Sequence, residues 1–315
     1  MKALFFVCSI LLLGIVFYVY STGNVSQNNT YEKHQRVFSA TTHSTAQLEK
    51  KDTLKKVVVR VPAEVRIETP FVAKKEKAPS TDFLAAARAY GAYTLTTNEQ
   101  VAGKNTAALL PIASITKLMT AVVSKEWMDS ELSLTVPAEA LVYTSTQRLV
   151  VGEEMAMQDL LLLLLAESSN EAAVTIEHAF PEGGFVEKMN EKALELGMLR
   201  THFRDASGSS EENVSTVEDL VRLAQYIARE HPDIFALTKA FGEVGTFANL
   251  ENYNHCAGNP QCVGVKVGKT LAAQETMLGV FVEEESSTGV LVYVVLGSSA
   301  GQQALEALRA PNTSS

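Results

Sequence analysis

Three runs near the end of the chain constrain the fold more than any other feature. Residues 262–270, 276–282 and 290–296 are rich in valine and other strand formers, and the gaps between them suit hairpins. Residues 91–96 read as another strand, with a turn at 98–100 and a return through 101–104. Between these two groups the pattern is helical: 111–124, 160–166, a further segment after 173, 185–197 and 217–229, the last capped by Ser215-Thr216. Residues 83–90 and 302–310 read as short flanking helices, 130–136 as an extended patch, 149–154 as a strand end and turn, and 201–208 as a loop. Strands at both ends with helices between them predict an α+β fold. An antiparallel sheet assembled from both chain ends would pack against a helical subdomain.

The chain has 315 residues, 46% of them hydrophobic, ample for one large core or two small ones. After Lys2, residues 3–20 carry no charge and are strongly apolar. About 18 helical residues nearly cross a hydrocarbon layer of about 30 Å. A cleaved signal and a retained anchor both fit residues 1–20. The run is long for a signal, and no Ala-x-Ala site follows. A retained membrane anchor with the bulk of the protein exported is expected, or a secreted protein if the segment is cleaved. A buried core helix is a third option, disfavoured by the polar stretch directly after it.

Residues 21–82 read as a flexible linker, with nine Lys or Arg against five Asp or Glu between 48 and 80. Pro62, Pro70 and Pro79 speak against a packed sheet around Val57–Val59. A solvated tether is the plain reading, and contact with anionic polymer or lipid headgroups the sharper one. Residues 83–310 form the expected folded domain, and 311–315 a tail. From Thr81 onward the chain has 15 basic and 30 acidic residues, a net of −15 within a total of −9. Such a domain is a poor nucleic-acid binder, because phosphate contacts need clustered Lys and Arg. Cys256 and Cys262 bracket the turn-rich Ala-Gly-Asn-Pro-Gln. An exported domain would allow a small disulfide there, and two free thiols are the alternative. With His255 they do not make a four-ligand zinc set, and no other spacing suggests a metal.

Ser114 and Lys117 are three residues apart at the head of an apolar helical stretch, so both side chains share one face. A buried lysine loses hydration, which disfavours its ammonium form, and a neutral lysine beside a hydroxyl can take its proton. Ser-x-x-Lys alone occurs about once by chance in a chain of this composition. A second candidate is Ser168-Ser169-Asn170, between two apolar helices. Small polar residues there are ordinarily a capped turn; otherwise they project a hydroxyl and an amide into a cleft. A third is Lys266-Val267-Gly268 on the first late strand, followed by Lys269 and Thr270.

In one consistent order, Ser114-Ile-Thr-Lys117, Ser168-Ser169-Asn170 and Lys266-Val267-Gly268 resemble the three motifs of the serine β-lactamase-like superfamily. Their flanks, with Phe185–Asn190, Leu196–Met198 and Thr201–Phe203, resemble the D-alanyl-D-alanine carboxypeptidases, the low-molecular-weight penicillin-binding proteins. The resemblance covers residues 84–310 and implies a transpeptidase-like fold without metal or organic cofactor. It implies Ser114 as nucleophile, Lys117 as base and Ser168 as proton relay. Asn170 would hold Lys117 and the substrate amide. Lys266, Val267, Gly268 and Thr270 would line the substrate, with Lys266 supplying charge to its carboxylate. Backbone N–H groups of Ser114 and Lys269 would form the oxyanion hole.

The implied activity is serine D,D-carboxypeptidase, acting on peptidoglycan stem peptides and acylated by β-lactams. An endopeptidase of the same chemistry, or a catalytically weak wall-peptide binder, are alternatives. A β-lactamase is the weaker third, since no stretch supplies the extra deacylating glutamate of its class A form. Val267 replaces the family's Thr or Ser, removing a donor to the substrate carboxylate. Arg204–Gly208 also departs from the usual Asn-Pro-His-Gly. The C-terminal β-domain of some relatives is not expected here, and the N-terminal helix would take over its anchoring role.

Overall fold

The computed structural model describes residues 82–310, apart from 144–145, 182–183, 257 and 284–288. The expected anchor and linker lie outside the described residues. Among the described residues no helix is long and apolar enough to cross a membrane.

A short helix α1 (Asp82–Ala86) leads into the hairpin β1 (Ala89–Thr94) and β2 (Gln100–Lys104). The helix expected over 83–90 is therefore shorter. Ala89 and Tyr90 pair with Leu296 and Val295 across the sheet, and that pairing overrides the local alanine-rich helix propensity. After β3 (Leu110–Pro111) and a 3₁₀ turn (Ala113–Ile115), α2 (Thr116–Trp127) runs through the interior. Residues Thr116 to Ser124 of α2 are all buried, Thr120 and Ser124 placing their hydroxyls on the Ala206 and Thr120 carbonyls at 2.6 and 2.7 Å.

The chain then makes β4 (Ser133–Thr135) and β5 (Glu154–Ala156), a small two-stranded sheet. The strand end expected at 149–154 falls later, with 149–153 turning into β5. Three helices follow: α3 (Met157–Ala166), α4 (Asn170–Ala179) and α5 (Phe185–Glu195). Ser215 belongs to β6 (Val214–Ser215), paired with β3. Thr216 alone caps α6 (Val217–Glu230), accepting from Asp219 N at 3.1 Å. The helix α7 (Pro232–Leu237) and the hairpin β7 (Gly242–Val244) and β8 (Phe247–Leu250) carry too few periodic residues to have been read from sequence. The three late strands are β9 (Cys262–Thr270), β10 (Gln274–Val282) and β11 (Val290–Ser298), and α8 (Gly301–Arg309) closes the fold.

The main sheet has the order β2-β1-β11-β10-β9, every pairing antiparallel. It is assembled from both chain ends. Its faces follow the two-residue period of a strand. On β11, Val292, Val294 and Leu296 join the large core with the helical block. Leu291, Tyr293 and Val295 join a second core against α8. The edge strand β9 keeps the same rule: Val265 and Val267 pack on the α8 side. Gly268 lies against Ser114 on the helical side. This places the front edge of β9 opposite the starts of α2 and α4.

Candidate active site

Ser114 sits in the 3₁₀ turn that feeds α2, and Lys117 follows on the first turn of that helix. The turn is reached through Ala113, whose φ of 48° is left-handed and uncommon for a residue with a Cβ. Two glycines let the backbone close around it. A Cβ on Gly208 (φ +82°) would lie 2.0 Å from the Ala113 carbonyl oxygen. One on Gly268 would lie 2.7 Å from the Ser114 nitrogen.

Lys117 is fully enclosed, its Nζ 2.9 Å from Ser114 Oγ, 2.7 Å from Asn170 Oδ1 and 2.6 Å from the Ser207 carbonyl. Burial pulls its pKa down to about 7, against the opposing pull of the Asp205 and Glu171 carboxylates. A neutral amine has two N–H groups and one lone pair. As an ammonium Lys117 donates to all three partners; in the neutral form, hydrogens given to Asn170 and Ser207 would leave the lone pair for the Ser114 hydroxyl.

The segment before α4 divides its labour. Ser169 is the cap, accepting from Ala172 N at 3.1 Å and donating to the buried Glu171 at 2.9 Å. That frees Ser168 (φ 59°) and Asn170 to line the cleft. The ordinary reading of this turn holds for Ser169, and the cleft reading for its two neighbours.

Across the cleft, Lys266 is also fully buried. Its Nζ contacts Ser168 Oγ at 3.0 Å, Asn254 Oδ1 at 3.2 Å and the Val267 carbonyl at 2.8 Å. Burial, and then the charge of Lys117, push its pKa well below the ordinary lysine value. Asn254 was not singled out from sequence. It is wholly buried, donates to the Leu165 and Thr238 carbonyls at 2.8 and 2.9 Å, and accepts from Val267 N at 3.2 Å. One side chain therefore ties the end of α3 to β9. The only local signal was an Asn-rich stretch, which reads as turn chemistry.

Ser114, Ser168, Asn170, Val267, Gly268 and Lys269 line one cleft of about 620 Å³. Thr270 is not among them. Its Oγ1 accepts from Ala273 N at 3.0 Å and closes the β9–β10 turn, so the substrate contact expected of it is not what its position offers. The Arg204–Gly208 loop is ordered by Asp205, which accepts from the N–H groups of Ser207, Gly208 and Ser210 at 2.8, 2.6 and 2.7 Å. Burial pushes that carboxyl up, but these donors outweigh it and hold it below its ordinary range. The loop thus delivers the Ser207 carbonyl to Lys117. Cys256 and Cys262 are joined in a disulfide, both buried. Among the described residues no group of His, Cys, Asp or Glu side chains is placed to hold a metal ion.

A helical wall bearing Ser-x-x-Lys and Ser-x-Asn elements, facing a β edge that carries a buried lysine, is the arrangement of penicillin-binding proteins. Residues 74–300 match the D-alanyl-D-alanine carboxypeptidase family, and the chain belongs to it. The chain is 34% identical over 172 residues to the D-alanyl-D-alanine endopeptidase of Escherichia coli strain K12, covering 51% of this chain and 55% of that one. It is 32% identical over 142 residues to the D-alanyl-D-alanine carboxypeptidase DacF of Bacillus subtilis strain 168, covering 42% of this chain and 36% of that one. The chain thus spans about half or less of the length of the curated relatives it matches. The crystal structure of penicillin-binding protein D2 from Listeria monocytogenes, in its ampicillin-bound form, superposes with a TM-score of 0.60 at 28% identity. That match covers 70% of this chain and 92% of the other. The fold is the α+β transpeptidase-like fold.

Proposed function

We propose that the chain is a serine D,D-peptidase that cleaves D-Ala-D-Ala-type bonds of peptidoglycan stem peptides through an acyl-enzyme. The observation that carries the reading is the fully buried Lys117 amine 2.9 Å from Ser114 Oγ, its pKa drawn down to about 7 by burial.

In this mechanism Ser114 Oγ gives its proton to Lys117 Nζ and bonds to the carbonyl carbon of the penultimate D-alanine. The oxyanion forms at the backbone N–H groups of Ser114 and Lys269, a contribution often worth 10²–10³ in rate per donor. The C–N bond then breaks. The leaving amine takes its proton from the Ser168 hydroxyl, and the proton that Lys117 took from Ser114 is returned to Ser168. Water attacks the ester carbonyl, gives its proton back through Lys117, and releases Ser114. A β-lactam amide would acylate Ser114 by the same first step, as the bound form of the Listeria relative supports.

An endopeptidase differs only in the leaving amine, which belongs to a cross-linked neighbouring stem. Support for it comes from the Escherichia coli relative, an endopeptidase by name. We further propose that residues 1–20 anchor an extracytoplasmic domain to the membrane. The uncharged apolar run supports this, as does a disulfide of the kind found in oxidising compartments.

The test is intact-mass analysis of the full chain and its Ser114→Ala variant after incubation with a penicillin, followed by D-alanine release from a pentapeptide. The expected result is one adduct on the wild type alone, with D-alanine released. No adduct at saturating penicillin would defeat the reading. An adduct without turnover of any stem peptide would favour the weak wall-peptide binder instead.

A further inference from the structure

The substrate of the proposed reaction carries a free α-carboxylate beside the scissile bond, and Val267 offers it no hydroxyl. The side chains that could provide a charged contact in the cleft can be counted. Lys266 is one, but it is fully buried and its Nζ already faces Ser168 Oγ, Asn254 Oδ1 and the Val267 carbonyl at 3.0, 3.2 and 2.8 Å. Whether it carries three hydrogens or two, none is spare. Lys269 is another, but its exposed Nζ pairs with Glu275 at 3.0 Å. The third is His255, which lines the same cleft and has no hydrogen-bond or ion-pair partner among the described residues.

The backbone around His255 holds it there. It is an exposed residue between two buried ones, Asn254 and Cys256. Asn254 is fixed by four hydrogen bonds of its side chain, one of them to the backbone N–H of Val267 at 3.2 Å. Cys256 is fixed by its disulfide to Cys262, at the start of the same strand. His255 itself has a left-handed φ of 56°, which turns its side chain away from the buried neighbours. Of the acids of the cleft, Glu275 has its pKa drawn down, against burial, in part by His255, but no hydrogen bond or ion pair joins the two. Glu275 accepts from Gly301 N at 2.6 Å and from Lys269, and Glu167 accepts from Arg148 Nε at 2.6 Å and Glu251 N at 2.8 Å.

We propose that His255 is a specificity-determining residue that binds the free C-terminal carboxylate of the substrate, in place of the hydroxyl absent at Val267. An imidazole N–H donates to a carboxylate in either protonation state, and with charge when protonated. This inference rests on the peptidase reading above. The specific ligand chemistry is an unblocked α-carboxylate on the leaving D-amino acid.

Steady-state hydrolysis by the full chain is to be measured on a peptide ending in D-Ala-D-Ala and on its C-terminal carboxamide. Wild type should favour the free carboxylate. His255→Ala should raise KM for the carboxylate about tenfold, the size of one lost contact to a charged group, with a smaller change in kcat. The preference over the carboxamide should collapse by the same factor. Adding Val267→Thr to His255→Ala should restore part of it. His255→Asn is the companion variant, since Asn tolerates a left-handed backbone and is too short to replace the imidazole. An unchanged carboxylate preference in the folded variants overturns the inference. Penicillin adduct formation on the wild type is the separate control: its absence defeats the peptidase reading itself.

Discussion

On the helical wall of the cleft, Lys117 touches Ser114, Asn170 and the Ser207 carbonyl. On the strand wall, Lys266 touches Ser168, Asn254 and its own neighbour's carbonyl. Both lysines are fully buried, and both have pKa values lowered first by desolvation. They differ in what the third contact is. For Lys117 it is the reactive hydroxyl, so the amine's lone pair has work to do in the cleft. For Lys266 the contacts are Ser168 and two fixed structural partners, Asn254 and the Val267 carbonyl, so it braces Ser168 against β9. The same residue type in the same degree of burial becomes a base or a brace according to one neighbour.

That contrast can be broken most severely at Lys117. Lys117→Ala should lower the rate of Ser114 acylation by about 10³, within the range for loss of a positioned base. Lys117→Arg should lower it as much, because a guanidinium does not deprotonate. Stopped-flow acylation with a chromogenic β-lactam measures both. If Arg retained wild-type speed, the lone pair would not be what matters.

Gly208→Ala attacks the same wall from behind. Its Cβ would meet the Ala113 carbonyl at 2.0 Å in a left-handed backbone, at a cost of about 2–3 kcal/mol. Thermal unfolding should start several degrees lower, and an unaltered melting temperature would mean that the loop relaxes freely.

The pH dependence is the third and milder probe. Neutral Lys117 is the working form, and its pKa lies near 7. Acylation should be flat above about pH 8 and fall about tenfold per unit as pH drops below about 6, while circular dichroism stays constant. A limb near the ordinary lysine value of about 10.4 would contradict the depressed pKa.

Val267→Thr has the smallest expected effect and sharpens the strand side. It should lower KM for a free-carboxylate peptide a few-fold, about 1 kcal/mol or less, because His255 already occupies that role. A gain as large as the loss from His255→Ala would show that the two contacts do not substitute for each other.

The motif residues were legible because each stands in a periodic or capped setting. Strand β9 was read with its true bounds, since Val265 and Val267 alternate with Lys266 and Gly268 of the other face. The Ser114–Lys117 pairing followed from helical spacing. What sequence did not reveal depends on partners far along the chain. Asn254 matters because Leu165, Thr238 and Lys266 converge on it, and no local pattern around Asn254 encodes that. Gly208 looked like loop punctuation until Ala113 was found pressed against it. Ala89 and Tyr90 looked helical because the strand that claims them, β11, lies near the opposite end of the sequence.

That last pairing also sets an order of events in time. β11 lies between β1 and β10, so the sheet cannot be completed until β11 has been made. The partners Ala89 and Leu296 are about two hundred residues apart, which implies slow closure of a long loop. Meanwhile the β1–β2 hairpin waits with an open edge, and the apolar α2 and α3 have no sheet to cover them. During its synthesis this protein should depend on chaperones that shield unpaired strands and helices until β9–β11 arrive. Shortening it from the C-terminal side would cost the sheet its centre rather than its rim.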